Sequence, residues 1–293
     1  MASFLGNNSH AAHFGPEAAV MDMLNPNTAS ASGHPIAHRF DPYDSNGGSV
    51  LAIAGQDFCV IAGDTRQSTG YSIQTRYKPK VYRLTDKAVL ALCGFAADAE
   101  NLMLRIRQRL EWYKHAHEKP MPLSSIARML STILYSKRGF PYYTWNILGG
   151  LDEEGKGAVY SFDPVGSYER ETCRAAGAAQ SLLQPFLDSQ IMRKNQLPTP
   201  DHPLPVPGTM PLPEVLNIVM DSFTSATERH IEVGDGLELF VVRTPKGSPV
   251  QVEIANKAID IDLKPLGAQE AFGGDDEHTE GSVVVLRREL KKD

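Results

Sequence analysis

The sequence predicts an α+β domain in which two packed β-sheets are covered on their outer faces by pairs of helices. The first observation is the order of the patterns: strands, two helices, strands, two more helices and closing strands. The second is that the strand-length runs are almost continuously apolar, which is typical of sheets with both faces covered. The third is that no internal repeat interrupts this order in the sequence.

The first half of the chain passes from strands to helices. Its predicted elements, in order, are strands at residues 49–55, 58–63, 80–84 and 88–93 and helices at residues 97–114 and 123–137. The first helix follows from the stripe of Leu102, Ile106 and Leu110, because side chains four residues apart share one helix face. The second is expected to begin with Ser124 or Ser125 as its N-cap, since a serine hydroxyl can accept an N–H of the first turn.

The second half repeats the alternation and adds two irregular segments. Its predicted elements are strands at residues 143–150, 157–163 and 167–172, helices at 178–194 and 212–229, and strands at 237–243, 250–254 and 282–286. The linker 197–213 is rich in proline and predicts a non-helical surface segment. Residues 256–281 are acidic and poor in apolar side chains, so they predict a flexible insertion. The closing stretch RRELKKD predicts a solvated tip.

Composition excludes several classes of protein. The chain has 293 residues, 42% hydrophobic and 22% charged, which is typical of a globular protein with a sizeable core. Its net charge of −6 argues against a nucleic-acid partner, which needs clustered Lys and Arg. The sequence has no apolar run near the roughly 20 residues that span a bilayer, so no membrane partner is predicted. Cys59, Cys93 and Cys173 lie far apart in apolar segments and predict buried free thiols in a reducing compartment.

The first 38 residues differ in composition from the rest of the chain. They contain neither Lys nor Arg and are rich in Ala, Ser, Asn and Gly. This composition predicts a disordered, propeptide-like segment at residues 1–38, followed by a single domain at residues 39–293. The segment's histidines are not expected to bind a metal, because nothing in the pattern preorganises their rings; they are His10, His13, His34 and His38.

One pair of polar residues in the sequence suggests chemistry. Nucleotide-binding loops, zinc-binding spacings and the G-x-S-x-G elbow are absent from the sequence, so neither a cofactor nor a metal is predicted. Asp64 ends the first predicted hairpin, and Lys80 opens the next strand. A buried Asp–Lys pair can lower the pKa of a nearby nucleophile, or it can be a purely structural ion pair. The hydroxyl of Ser49, which follows two glycines, is the candidate nucleophile to consider beside this pair.

Residues 47–84, GGSVLAIAGQDFCVIAGDTRQSTGYSIQTRYKPKVYRL, resemble the N-terminal block of the proteasome β subunits. The likeness continues through CGFAADAE at 93–100 and is strongest at 139–171 and 222–239, which are similar to the β6 position of the eukaryotic 20S particle. The resemblance implies the N-terminal nucleophile hydrolase fold, a four-layer αββα sandwich. It also implies partners: other β and α subunits in stacked seven-membered rings, and assembly chaperones. The implied location is the cytoplasm and nucleus.

Active members of that family use an N-terminal threonine, freed by cleavage after a glycine, with its own amino group as the base. The resemblance places Asp64 and Lys80 on the family's first aspartate and its lysine. It places the nucleophile position on Gly48, which has no side chain. The family's supporting serine, second aspartate and second serine are replaced in this chain; those positions hold Ala178, His230 and Val233.

The leading hypothesis is therefore a non-catalytic structural subunit of the 20S core, with no catalytic residue of its own. The alternative is an enzyme in which processing at Gly48 frees Ser49 as an N-terminal serine nucleophile. Ser49 is one residue out of register with Asp64 and Lys80, and such a slip turns a strand side chain to the opposite face. A third hypothesis, a free-standing binding module, predicts a stable monomer. The N-terminal segment is expected to be trimmed by active neighbours upstream of Asp44.

Overall fold

The computed structural model describes residues 41–198, 206–243, 250–254, 257–261 and 283–292. The predicted propeptide-like segment with its four histidines, the centre of the proline-rich linker and residues 262–281 of the predicted insertion lie outside the described residues. The prediction for each of these segments therefore stays a prediction.

Strands and helices alternate in the described ranges in the predicted order. The first half contains β1 Ser49–Ala54, β2 Phe58–Asp64, β3 Gln67–Thr69, β4 Ser72–Thr75, β5 Val81–Thr85, β6 Ala88–Gly94, α1 Ala96–His117 and α2 Leu123–Tyr135. The second half contains β7 Thr144–Leu151, β8 Gly157–Phe162, β9 Tyr168–Glu171, β10 Cys173–Gly177, α3 Gln180–Gln190, α4 Leu212–Thr227, β11 Gly236–Arg243, β12 Val250–Ile254, β13 Lys257–Ile261 and β14 Val283–Glu289.

The strands form two five-stranded antiparallel sheets and two small hairpins. The first sheet has the order β10-β1-β2-β11-β14, and the second has the order β5-β6-β7-β8-β9. In the first sheet β1 lies between β10 and β2, with Ser49 opposite Gly177 and Val50 opposite Gly63. Asp64, the last residue of β2, is opposite Leu237 of β11. This register brings the start of β1 and the end of β2 to one edge of the first sheet.

Three apolar clusters stack the elements into four layers. The cluster between the sheets contains Val50 and Ile61 of the first sheet with Val89 and Ile147 of the second. A second cluster joins the outer face of the first sheet to α3 and α4, and a third joins the outer face of the second sheet to α1 and α2. Because strand side chains alternate between faces, each sheet supplies two of these clusters. The predicted αββα sandwich is confirmed.

Some local predictions were wrong. The hairpin of β3 and β4 was not predicted, because its polar sequence lacks the apolar alternation that indicates a strand. Strand β10 was also not predicted: its residues lie between the predicted strand 167–172 and the predicted helix 178–194, and CRAAG has no strong strand signal. The N-cap of α2 is Pro122, which precedes both predicted serines.

The two closing segments also differ from their predictions. Lys257–Ile261, at the start of the predicted flexible insertion, is strand β13 and pairs with β12. The final strand β14 extends to Glu289 and pairs along β11, so the predicted solvated tip begins with strand residues. Leu290 beyond it is buried in the cluster under α3 and α4. A local hairpin with β12 therefore orders residues 257–261, and long-range pairing with β11 overrides the polar composition of the chain's last strand.

Candidate functional site

The predicted Asp64–Lys80 pair is present and buried. Lys80 Nζ lies 3.3 Å from Asp64 Oδ1, and the two side chains are 8% and 0% exposed. The ammonium also donates to the backbone carbonyls of Asp64 at 2.9 Å and Arg66 at 2.6 Å. An ammonium has three N–H donors, and each one therefore has an acceptor. This arrangement fixes the lysine head group at the edge of the first sheet.

The Asp64 carboxylate collects backbone N–H groups from three segments. It accepts from the N–H of Ser49 at 2.7 Å, of Arg66 at 3.3 Å and of Gly234 at 3.4 Å. Burial raises the pKa of Asp64 above its ordinary value, while the Lys80 charge and the N–H groups of Ser49 and Gly234 oppose that rise. The carboxylate thus ties the start of β1 to the loop that precedes β11.

A side chain at Gly48 would require the end of the Lys80 side chain to move. The φ of Gly48 is +75°, and a Cβ built on its backbone would lie 2.0 Å from Lys80 Cε and 2.6 Å from Lys80 Nζ. Its N–H donates to the Glu232 carbonyl at 3.1 Å, and its carbonyl accepts from the Ala178 N–H at 2.9 Å. Gly48 is therefore a hydrogen-bonded mid-chain residue, and the Lys80 stem occupies the position that a side chain would take.

Ser49 is a fully buried residue of β1. Its backbone N–H bonds to Asp64, whereas its hydroxyl oxygen accepts from the N–H of Ala179 at 2.7 Å. The aspartate therefore holds the serine main chain, and the hydroxyl is turned to the start of α3. A general base must hydrogen-bond the hydroxyl that it activates. Within the described ranges, the partner of this hydroxyl is a backbone amide.

The three second-half positions that the resemblance singled out lie in segments around the same edge. Ala178 contacts the site through its backbone, by the hydrogen bond to Gly48. The ring of His230 accepts from the N–H of Glu232 at 3.3 Å. Val233 is 1% exposed and packs in the apolar cluster under α3 and α4. The structure brings these segments to Gly48 and Asp64, and the hydrogen bonds that they make to those two residues come from the backbone groups of Ala178, Glu232 and Gly234.

A second buried ion pair was missed by the sequence analysis. Arg66 Nε lies 2.7 Å from Asp235 Oδ2, and the side chains are 1% and 2% exposed. Arg66 Nη1 also donates to the Ile231 carbonyl at 2.8 Å, and Arg76 bonds the other Asp235 oxygen. Burial opposes ionisation of Asp235, but the hydrogen bonds from Arg66 and Arg76 outweigh it and hold the pKa below its ordinary value. The pair fastens the loop before β11 to the end of β2.

The three cysteines are free and buried, as predicted. Burial raises the pKa of each thiol to about 12, so the reactive thiolate is suppressed. Among the described residues, no group of three or more His, Cys, Asp or Glu side chains could hold a metal ion.

Comparison with known proteins shows the family to which the chain is related. The model of the proteasome subunit family matches residues 44–199. The chain is 54% identical over 226 residues to proteasome subunit beta type-6 of Saccharomyces cerevisiae, covering 73% of this chain and 90% of the relative. The chain belongs to the proteasome subunit family. Further family members similar to it are proteasome subunit beta type-1 of Danio rerio and probable proteasome subunit beta type-6 of Schizosaccharomyces pombe. The first is 52% identical over 71% of this chain and 85% of the relative, and the second 48% over 70% and 92%.

Membership in the proteasome subunit family confirms the resemblance seen in the sequence. The relatives are named as β-type proteasome subunits, and residues 139–171 and 222–239 resemble that same group. It also agrees with the αββα sandwich described above. No helix in the described part of the chain is long and apolar enough to cross a membrane.

Proposed function

We propose that this chain is a non-catalytic, structural β subunit of the 20S proteasome core. The observation that carries the proposal is the filled space at Gly48, where Lys80 occupies the volume of the missing side chain. The backbone at Gly48 is bonded on both sides, so this residue forms a continuous part of the fold. The names of the relatives support the assignment to the β type of subunit. The family's attacking group has no counterpart at this position.

The role that remains is architectural. The chain would form part of the β ring and of the chamber wall, with other β and α subunits as its partners in stacked seven-membered rings. Assembly chaperones would handle it before incorporation, and it would act in the cytoplasm and nucleus during ubiquitin-dependent protein degradation. Obligate interfaces of this kind bury thousands of square ångströms, which would maintain the fold without its chemistry.

The domain organisation follows from the same proposal. Residues 1–38 would be a propeptide-like segment, removed by active neighbouring subunits at a site upstream of Asp44, because Gly48 cannot cleave in cis. Residues 39–293 would then be the β-type domain. Mass spectrometry of the N terminus in the assembled particle tests this expectation, and an intact Met1 would refute it.

The experiment that separates this proposal from the enzyme alternative is covalent labelling. The chain is tagged at its C terminus, the native particle is purified through the tag, and a mechanism-based probe for N-terminal hydroxyl nucleophiles is added. Mass spectrometry is expected to find the probe on other subunits and to find Ser49 unlabelled, because its hydroxyl is bonded to the Ala179 amide. Specific labelling of Ser49 would overturn the proposal.

The same purification tests the assembly. Co-purification of a full set of other subunits is the expected result. Elution of this chain from size exclusion near its own mass of 32.1 kDa would contradict ring membership and favour a free-standing binding module.

A further inference from the structure

Two buried oxygen atoms on β7 have no hydrogen-bond partner among the described residues. They are the hydroxyl oxygen Oγ1 of Thr144 and the amide oxygen Oδ1 of Asn146. The two residues are 0% and 1% exposed. A buried polar group without a partner destabilises the folded state, and native proteins therefore pair nearly all such groups with protein or with ordered water. These two atoms consequently point to a partner that the described part of the protein does not supply.

The two side chains lie on the face of the second sheet that is covered by helices. Strand residues two apart point to the same side, and Leu148, the next residue of this row, belongs to the apolar cluster under α1 and α2. The first turn of α1 lies against this end of β7, because the Asp98 carboxylate accepts from the Tyr143 N–H at 2.8 Å. The two oxygen atoms are therefore enclosed between the second sheet and its helix layer.

The neighbouring strands offer no side chain that could pair with either oxygen. The residue opposite Thr144 on β6 is Gly94, which has no side chain. The residues opposite Asn146 are Leu92 on β6 and Phe162 on β8, and both are apolar. Directly opposite side chains are the nearest neighbours of a strand residue on its own face. The partner of the two oxygens must therefore come from outside the sheet.

The other end of the Asn146 amide identifies which atom is left over. Asn146 Nδ2 donates to the Thr144 carbonyl at 3.4 Å. Since an amide nitrogen can only donate, the remaining terminal atom is the oxygen, which can only accept. The same bond draws the amide towards Thr144 along the strand. The Thr144 hydroxyl can both donate and accept, so a small molecule that does both fits the pair.

We propose that one buried water molecule bridges Thr144 Oγ1 and Asn146 Oδ1 beneath α1. A water molecule that donates to the amide oxygen and shares a hydrogen bond with the hydroxyl satisfies both atoms, and buried waters in proteins make two to four such bonds. A divalent cation fits less well, because Mg²⁺ and Ca²⁺ take about six or more oxygen ligands and the opposite side chains supply none. The water is a structural ligand of the second sheet, separate from the edge that carries Asp64 and Lys80.

A crystal structure in which ordered water is resolved tests the site directly and needs no variant. The sample is the native particle purified through the C-terminal tag, or the full-length chain if the chain is recovered free. We expect one solvent peak within hydrogen-bond distance of both Thr144 Oγ1 and Asn146 Oδ1. Clear density for both side chains with no peak between them would overturn the proposal. A peak surrounded by further oxygen ligands at cation distances would also overturn it.

Thr144→Val provides an independent measurement, because it replaces the hydroxyl by a methyl group of similar shape. If the water is bound, the variant removes one of its partners, and the folding equilibrium constant is expected to fall about tenfold. If the hydroxyl is simply unpaired, the same change removes an unfavourable buried group and the constant rises. Urea denaturation of the full-length chain distinguishes the two signs, and a rise contradicts the proposal. The matched control is Thr132→Val, for which little change is expected, since Thr132 is exposed and bonds within α2.

A double-mutant cycle tests whether the two residues share one water. Asn146→Leu removes the second oxygen, so either single variant already disrupts the bridge. The double variant Thr144→Val/Asn146→Leu is therefore expected to lose less stability than the sum of the two single losses. The control cycle pairs Asn146→Leu with Thr132→Val, which shares no hydrogen-bond partner with Asn146, and is expected to be additive. Additive losses at Thr144 and Asn146 would show that the two oxygens do not share a water.

Discussion

Two buried ion pairs lie side by side at the edge of the first sheet. They differ in the sequence separation of their partners and in their structural role. Asp64 and Lys80 are sixteen residues apart, whereas Arg66 and Asp235 are separated by 169. The first pair fills the empty position at Gly48, and the second fastens the loop before β11. Burial raises the pKa of Asp64, but arginine hydrogen bonds hold the pKa of Asp235 down.

Under the proposed function, the comparison teaches what holds such a site together when it has no attacking group. The acid and the lysine of the first pair retain a structural task, because each is the principal ionic partner of the other in a buried place. The second pair holds the loop before β11 in position, and that loop contains His230 and Val233, the positions where the sequence resemblance implies an aspartate and a serine. Under the proposed function, these two ion pairs maintain the scaffold of a site that does no chemistry.

The largest expected effect comes from breaking the first pair. Asp64→Ala leaves the Lys80 ammonium buried without its carboxylate, and we expect the free energy of unfolding to fall by about 3–5 kcal/mol. Urea denaturation of the full-length chain measures this. The matched control is Asp57→Ala, whose half-exposed carboxylate pairs with Arg243 at 3.4 Å and contributes about 1 kcal/mol or less. Equal losses in the two variants would show that the first pair is not a structural anchor.

The next effect comes from forcing a side chain into the position that Lys80 occupies. Gly48→Thr places a β-branched residue at positive φ against the lysine stem, and we expect a loss of about 2–4 kcal/mol from overpacking and backbone strain. Gly139→Thr is the control, because the described residues leave open space around its Cβ position. The Gly48→Thr particle is also expected to remain unlabelled at this chain by the nucleophile probe. Labelling at residue 48 would show that the Lys80 side chain moves aside readily, which would contradict this prediction.

A smaller effect is expected beside the first pair. Ser49→Ala leaves the buried N–H of Ala179 without its acceptor, which costs about 1–3 kcal/mol of unfolding free energy. The peptidase activities of the purified particle are expected to be unchanged. Ser45→Ala, at an exposed position four residues earlier, is the control for both measurements. A loss of one peptidase activity specific to Ser49→Ala would restore the enzyme hypothesis.

The smallest predicted effect is in the pH dependence of stability, to which Asp64 and Asp235 contribute with opposite signs. The pKa of Asp64 is raised in the folded state, so its contribution to stability is complete below the unfolded value of about 3.9 and is lost as pH rises through the folded pKa. The pKa of Asp235 is lowered, so its contribution is present above about pH 3.9 and is lost as pH falls through the folded pKa.

Urea denaturation over a pH series separates the two carboxyl groups. Asp64→Asn is expected to flatten the stability profile on the alkaline side of about pH 4, and Asp235→Asn on the acid side. Flattening on the same side in both variants would contradict the distinction between the pairs.

The sequence predicted the layers and the first pair for physical reasons that are local. Apolar periodicity marked the faces that form the cores, as at Leu102 and Ile106 on α1, and Asp64 and Lys80 stand at the ends of consecutive predicted strands. The second pair was not predictable in this way, because only the alignment of β2 with β11 brings Asp235 to Arg66. Its Gly-Asp-Gly sequence has the signature of a turn, and a turn signal does not reveal the partner of the aspartate.

The position of Lys80 beside Gly48 determines how easily a side chain can be introduced at residue 48. A single substitution that introduces a hydroxyl side chain at residue 48 meets the Lys80 ammonium, which contacts two carbonyls and a carboxylate. Withdrawal of the lysine, in turn, leaves Asp64 buried without its cation. Either change made alone, a new side chain at residue 48 or withdrawal of Lys80 from Asp64, lowers stability. If the proposed function holds, a catalytic hydroxyl at residue 48 therefore requires coordinated change at two or more residues, because the fold around Gly48 is adapted to a glycine.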